Sequence, residues 1–426
     1  MKNLIEALRA HPQAEEYKIN IHKKESCELF YVMGKLETVR RTDTCDTEVT
    51  VYVRHGAYKG DAKFFVYPST TPQQLAQAID EAVARALLIN NESYELPAGD
   101  GTAEEYAVES NFGTYDPAQL AGAAARAVFS AEAPEGTSLN AVEIFINRHT
   151  ETVLNSRGLH RTQVRYDAMV EAIPTCSGEA QSVELYEQLR FSSFDAAQLS
   201  SRIAAKMAEV KARYSAAAPA APLAGSVVLG AQELSELFWC IAEDAGYAAA
   251  YGQTGVFKKG DAVQKEPVGD ILGITMAGAV SGSPRSAVFD ADGLLLGSIR
   301  LVEGGRLVNY YGSNRYGQYL GEVPTGVLEC ICVDAGTADA ADPVQGPWLE
   351  VLSMSGLQVD FYTDYIGGEV RLALWHDGGS VTPVTGISIA GSLSGVLSGI
   401  RLSVQTTVQG GYCGPEKAVL DGMKIF

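Results

Sequence analysis

Histidine is scarce in this chain of 426 residues. There are six, His11, His22, His55, His149, His160 and His376, and no two lie within five residues of each other. No single helix therefore presents a histidine pair, which excludes the commonest helical metal motifs. His149 and His160 face each other if the chain reverses near Asn155, but a solvated strand histidine accounts for each of the six. Basic charge is also short: 33 Lys and Arg stand against 52 Asp and Glu, a net charge of -19. Nucleic-acid binding needs a basic face that displaces counterions, and the only basic clusters are Arg40-Arg41 and Lys258-Lys259, so no nucleic-acid partner is expected. Long apolar runs are missing too. Val381 to Ile400 is uncharged, but it is studded with Gly, Ser and Thr and reads as buried strands and turns, so no membrane partner is expected. The apolar stretch after Met1 is too short for a signal peptide and reads as the start of an amphipathic helix, which places the protein in the cytoplasm. Seven scattered cysteines do not read as a disulfide framework, and Cys330 and Cys332 read as core thiols on one face of a strand. There is no G-x-S-x-G elbow and no P-loop.

What is present is an ordinary globular mix, 46% hydrophobic and 20% charged. The chain is organised around Gly225 to Asp244. The run Val227-Val-Leu229 ends at Gly230 and suits a buried strand. From Gln232 the period changes, and Leu234, Leu237, Phe238, Ile241 and Ala245 recur at helical spacing. The polar side of this helix offers Trp239, Cys240, Glu243 and Asp244, with no histidine. Cys240, without a histidine near it in sequence, reads as a buried thiol and not as a nucleophile. An Ala/Pro segment, Ala216 to Pro222, precedes the stretch and marks a boundary between a first domain over 1–220 and a second over 221–426.

The first half alternates apolar and polar residues from Tyr17 to Tyr67, as half-buried antiparallel strands do. Thr71-Pro72, Asp116-Pro117 and Asp195 then open three helices, with a strand–turn–strand around Asn155 to Gly158 between the second and third. Each helix carries Gln-Leu near its start, at Gln74, Gln119 and Gln198, which suggests an internal duplication. Strands and helices do not alternate one for one, so the fold class is α+β rather than a doubly wound parallel sheet. The second half reads as closely spaced strands with Gly-rich turns, a mostly antiparallel sheet or partial barrel. Asp290-Ala-Asp292-Gly293 lacks the later ligands of a calcium loop and reads as a turn. Tyr310, Tyr311 and Tyr316 are candidates for lining a peptide groove, with core packing as the equal alternative.

Several stretches together resemble the TldD/PmbA family, also named for modulation of DNA gyrase. They are Asn155-Ser156-x-Gly158; Phe289-Asp290-x-Asp292-Gly293 followed by Val302-Glu303-x-Gly305-x-Leu307; the segment from Tyr311 to Thr325-Gly326; and Gly414-Pro415 with Leu420-x-Gly422-Met423-x-Ile425. The resemblance implies a two-subunit zinc metalloprotease whose TldD-type member carries His-Glu-x-x-x-His on the central helix and a later cysteine. Here Trp239 and Cys240 fall where His-Glu would, and Asp244 falls where the second His would. Tryptophan cannot ligate zinc, and a cysteine cannot act as the general base that a glutamate supplies. Cys413 by itself makes no site. The resemblance therefore implies the PmbA/TldE type: no catalytic residues, no metal or cofactor in this chain, zinc in a TldD-type partner, and small or unfolded peptides as substrate. A non-enzymatic homodimer that binds peptides or a regulatory partner is the alternative.

Overall fold

The computed structural model describes residues 1–426 apart from Ala180 and Asp342. The first half is built on two long antiparallel strands, β1 (Glu16–Val32) and β2 (Lys35–His55). They reverse at Met33-Gly34, both with positive φ (50° and 74°), the conformation that matches a two-residue turn to the strand twist. With β3 (Tyr58–Val66), β4 (Glu104–Ala107), β5 (Thr137–Asn155) and β6 (His160–Ser177) they form a sheet in the order β3-β2-β1-β5-β6-β4, and two short strands, β7 (Ser182–Glu184) and β8 (Glu187–Phe191), also pair with β6. This sheet curls into a half-barrel.

Strand periodicity gives the half-barrel two unlike faces. On one face, Ile19, Val49 and Val51 bury against α1 (Lys2–Ala10) and α2 (Pro72–Ala86). Farther along the same face, Ile144, Ile146 and Val170 bury against α3 (Pro117–Phe129) and α4 (Ala196–Ser215). Two helix-on-hairpin units thus lie side by side in one sheet. The three long helices start where their caps dictate. Thr71 forms a reciprocal capping box with Gln74, and the carboxylates of Asp116 and Asp195 accept from backbone N–H groups of the first turns. The other face carries His22, His149, Glu151, Gln163, Arg165 and Asp167 and turns toward the second half.

Every strand of this sheet precedes the Ala/Pro segment, and every strand of the remaining two sheets follows it. Strand β9 (Ser226–Gly230) enters a nine-stranded sheet and leads directly into α5 (Ala231–Asp244). A six-stranded sheet contains Ile274–Ala277, Ser298–Glu303, Cys330–Val333 and Tyr412–Pro415. The fold is α+β, and pairing in the second half is mostly antiparallel. It is divided into two sheets, with parallel pairs where Trp348–Met354 meets β9 and where Cys330–Val333 meets Tyr412–Pro415. Leu234, Leu237, Phe238 and Ile241 of α5 are buried in one cluster with side chains from both sheets. Each such side chain contributes roughly 1.5–3 kcal/mol on burial, which makes α5 the rigid centre of this half. The uncharged stretch ending at Ile400 forms two strands and the short helix Leu393–Gly399. Among the described residues no helix is long and apolar enough to cross a membrane.

Candidate functional cleft

One sequence motif fixes the turn between β5 and β6, and a second fastens the two halves. Asn155 accepts from the N–H groups of Arg157 (2.8 Å) and Leu159 (3.3 Å) and donates to the Pro97 carbonyl (2.7 Å). In the second motif, Asp290 accepts from the N–H groups of Asp292, Leu294 and Val327 at 2.9–3.0 Å, which fixes the turn. Asp292 pairs with Lys18 of β1, and the Gln163 side chain bonds both N–H and C=O of Phe289. Gly293 sits at φ 84°, and a Cβ there would lie 2.6 Å from Leu159, so this position must be open for the halves to close on each other. The Asp-x-Asp-Gly segment is a turn, as its sequence indicates, and it is the turn that docks on the half-barrel.

Two adjoining cavities lie along this seam and share Arg285, Val327 and Glu329. The larger, about 740 Å³, runs along the α5 stripe Gln232, Ser235, Glu236 and Trp239 and reaches Tyr311 and Arg190. The smaller, about 400 Å³, is roofed by Phe289 and Asp290 and floored by the polar face of the half-barrel.

Trp239 is half-buried, packs against the core and opens onto the larger cavity. Cys240 is half-buried, and burial, with Glu243 and Glu236 nearby, pushes its thiol up from its ordinary value. Asp244 faces neither cavity. Its carboxylate accepts from the N–H groups of Val256 (2.7 Å) and Phe257 (2.9 Å) and so holds the loop after α5. The three tyrosines separate. Tyr311 is buried beside Trp239, whereas its neighbour Tyr310 points to Lys259, whose ammonium lies 5.1 Å from the ring centroid. Tyr316, on the helix Asn314–Leu320, packs with Tyr251 and Tyr319. They do not form one groove, because successive residues of extended chain point to opposite sides. The structure brings Trp239 and Tyr311 together.

The helix does not fit a zinc ion. Tryptophan offers no ligand atom, both Asp244 oxygens are taken by backbone N–H groups, and Cys413 lies away on another strand, in register beside Cys332 of the adjacent one. That contact holds Cys413 below and Cys332 above the ordinary thiol value.

Two sets of residues are invisible to sequence spacing. Glu233, in the first turn of α5, is only 5% exposed, and burial raises its carboxyl to about 7. It lines a third cavity with Lys206, Glu209 and Glu350. The second set is a cross-strand cluster on the polar face. His149 is buried and does not face His160, whose register partner is Leu154. His149 instead lies 2.9 Å from His22 through its Nδ1 and 2.5 Å from Asp167 through its Nε2. Burial tends to raise Asp167, but the bonds from His149 and Asn147 outweigh it and hold the carboxyl below its usual range. Glu151 follows the same rule, with Arg165 and Gln163 outweighing burial. Burial lowers His22, which favours its neutral form.

Residues 224–425 match the family model described as the PmbA/TldA metallopeptidase C-terminal domain. No curated protein sequence matches the chain. In fold the chain is similar to TldE from Thermococcus kodakarensis, with a TM-score of 0.79 and 15% identity over 100% of this chain and 99% of that one. It is also similar to a protein from Bacteroides thetaiotaomicron named as a modulator of DNA gyrase, with a TM-score of 0.78 and 12% identity over 100% and 97% of the two chains. A Thermotoga maritima protein of the same description gives a TM-score of 0.73 and 14% identity over 96% of each chain. Residues 224–425 therefore belong to the PmbA/TldA metallopeptidase C-terminal domain family, and the whole chain has the fold of TldE.

Proposed function

We propose that this chain is the PmbA/TldE-type, non-catalytic subunit of a cytoplasmic two-subunit peptidase, in which a TldD-type partner supplies the zinc and the substrate is a small or unfolded peptide. The observation that carries the reading is the set on α5. Trp239 fills the wall of the larger cavity, Cys240 is a protonated thiol, and Asp244 is spent on the backbone of the following loop. Among the described residues no histidine or cysteine lines that cavity, so its carboxylates, Glu187, Glu236 and Glu329, have no zinc set beside them, and the helix shapes a path and does not activate water there. Trp239 and Tyr311 give the path an apolar wall, and Arg190, Arg285 and Glu329 give it polar contacts, a lining suited to peptide.

The test is reconstitution. The purified chain is incubated with an unfolded peptide alone, and again with a TldD-type homologue after the two are co-expressed and co-purified. Chelator-sensitive cleavage is expected only in the second mixture. Cleavage of that kind by this chain alone overturns the assignment.

A further inference from the structure

The polar face of the half-barrel places three metal-binding side chains together beside the smaller cavity, which His22 and Glu151 line with the buried His149 behind them, well away from α5 in sequence. His22 is on β1, and His149 and Glu151 are on β5. One donor atom from each lies within 4.8 Å of the others, the one such group among the described residues. Register explains the meeting: β1 and β5 pair antiparallel with His22 opposite Glu151, and His149 is two residues along on the same face.

We propose that His22, His149 and Glu151 form a binding site for a borderline divalent cation of the zinc or cobalt kind, with its remaining coordination positions open to the cavity beneath Asp290.

Three features of the geometry support the assignment. First, His149 is held as a ligand must be held. Its Nε2 is bonded to the half-buried Asp167 carboxylate, which Asn147 also holds at 2.7 Å, so the ring is fixed and Nδ1 is left to face His22. A carboxylate behind a histidine is the usual second support of a metal ligand, because it sets the tautomer and raises the basicity of the free nitrogen. Second, the nitrogen spacing fits. Two nitrogens about 2.05 Å from one ion are roughly 2.9 Å apart at a right angle and roughly 3.3 Å apart at the tetrahedral angle. His22 Nε2 and His149 Nδ1 are 2.9 Å apart, and the His22 side chain is 43% exposed, so rotation of its ring supplies the small opening required. Third, Glu151 retains donor capacity. Arg165 takes both positions of Oε1 and Gln163 one of Oε2, so one Oε2 position of the carboxylate stays free, and the group is near the histidines, with Oε1 3.9 Å from His22 Nε2.

The electrostatics agree. The cavity wall carries the carboxyl groups of Glu151, Asp290, Asp292 and Glu329 against Arg165, Arg285 and the Lys18 ammonium that pairs with Asp292, which leaves one carboxyl in surplus. Two imidazoles and one carboxylate with open positions form the donor set of a borderline cation. Calcium and magnesium prefer oxygen alone.

The test is titration of metal-stripped full-length protein with Co²⁺ and Zn²⁺, followed by the cobalt d–d spectrum and by calorimetry. One ion per chain is expected. His22→Ala, at a half-exposed position that leaves the Asp167–His149 pair intact, should weaken binding at least 100-fold, and His149→Ala should do the same. Asp167→Asn should weaken it about 10- to 100-fold through the support of His149. Cys413→Ser and Cys240→Ser should leave it unchanged. Absence of binding at 100 μM metal overturns the proposal. So does stoichiometric binding that survives His22→Ala but is lost in Cys413→Ser. The readout is binding alone, so failure here leaves the peptidase-subunit reading intact, and failure of that reading leaves this site intact.

Discussion

Glu233 offers a sharp test of how α5 is seated. Its carboxyl is 5% exposed at the start of the helix, and burial raises it from 4.5 to about 7 despite the favourable N–H groups there. The unfolded chain releases this proton near pH 4.5, whereas the folded chain holds it to about 7. Between those values the folded state carries the extra proton, so stability falls as pH rises through the window and the loss is complete above about 7. A shift of this size corresponds to roughly 3 kcal/mol. Glu233→Gln keeps the shape and removes the ionisation. The variant should match the parent at pH 4.5 and exceed it by about 2–3 kcal/mol at pH 8. Urea or thermal unfolding at the two pH values measures the difference. A variant equally stable at both pH values, or less stable at pH 8, would show that the carboxylate is ionised and held by Lys206 or the helix terminus, and that the burial argument is wrong.

Other perturbations have equally definite outcomes. Asp290→Ala strips three backbone N–H groups of their acceptor and should cost about 2–4 kcal/mol, read as a lowered unfolding midpoint and faster proteolysis at the seam. Trp239→His with Cys240→Glu should lose about 1–3 kcal/mol and gain no peptidase activity, since it opens a packed wall and sets a carboxylate beside Glu236 and Glu243, one helical turn away on either side. Equal stability together with tight zinc binding by that variant on α5 would refute the view of the helix as rebuilt. Labelled duplex DNA should not shift at physiological salt, given the net charge of -19; a micromolar, salt-dependent shift would reveal a basic patch that the total conceals.

What the sequence makes legible is local. Thr71, Asp116 and Asp195 announce their helices because a cap acts within one turn, and the change of period after Gly230 announces α5 for the same reason. The turns at Asn155 and Asp290 are readable because side chains that bond nearby N–H groups leave their mark in a few residues. What is hidden depends on register. His22 and His149 are 127 residues apart and meet only because β1 and β5 pair, and a shift of one residue would turn them to opposite faces. Glu233 looks like any first-turn acid, and its burial comes from the wall it shares with α4 and the Trp348–Met354 strand. The tyrosines mislead because closeness in sequence is not closeness of side chains: Tyr310 and Tyr311 part at the backbone, and Tyr316 joins Tyr251 and Tyr319.

The motifs that carry the family resemblance are, in this structure, devices of the backbone. Asn155 fixes one turn, Asp290 fixes another, and Gly158 and Gly293 leave room where a Cβ would meet Gly99 or Leu159. Gly305, with positive φ, likewise sits where a Cβ would press on Gln264. None of these groups needs to touch a reacting atom. Asp290 and Gly293 shape the turn that meets the half-barrel, and Asp290 also lines the smaller cavity at the seam. Otherwise the lining of the cavities rests on residues such as Glu236 and Trp239 on α5 and His22 and Glu151 on β1 and β5, which these turns do not supply. The likeness in fold therefore settles the architecture and leaves activity to be argued from the side chains that line the seam.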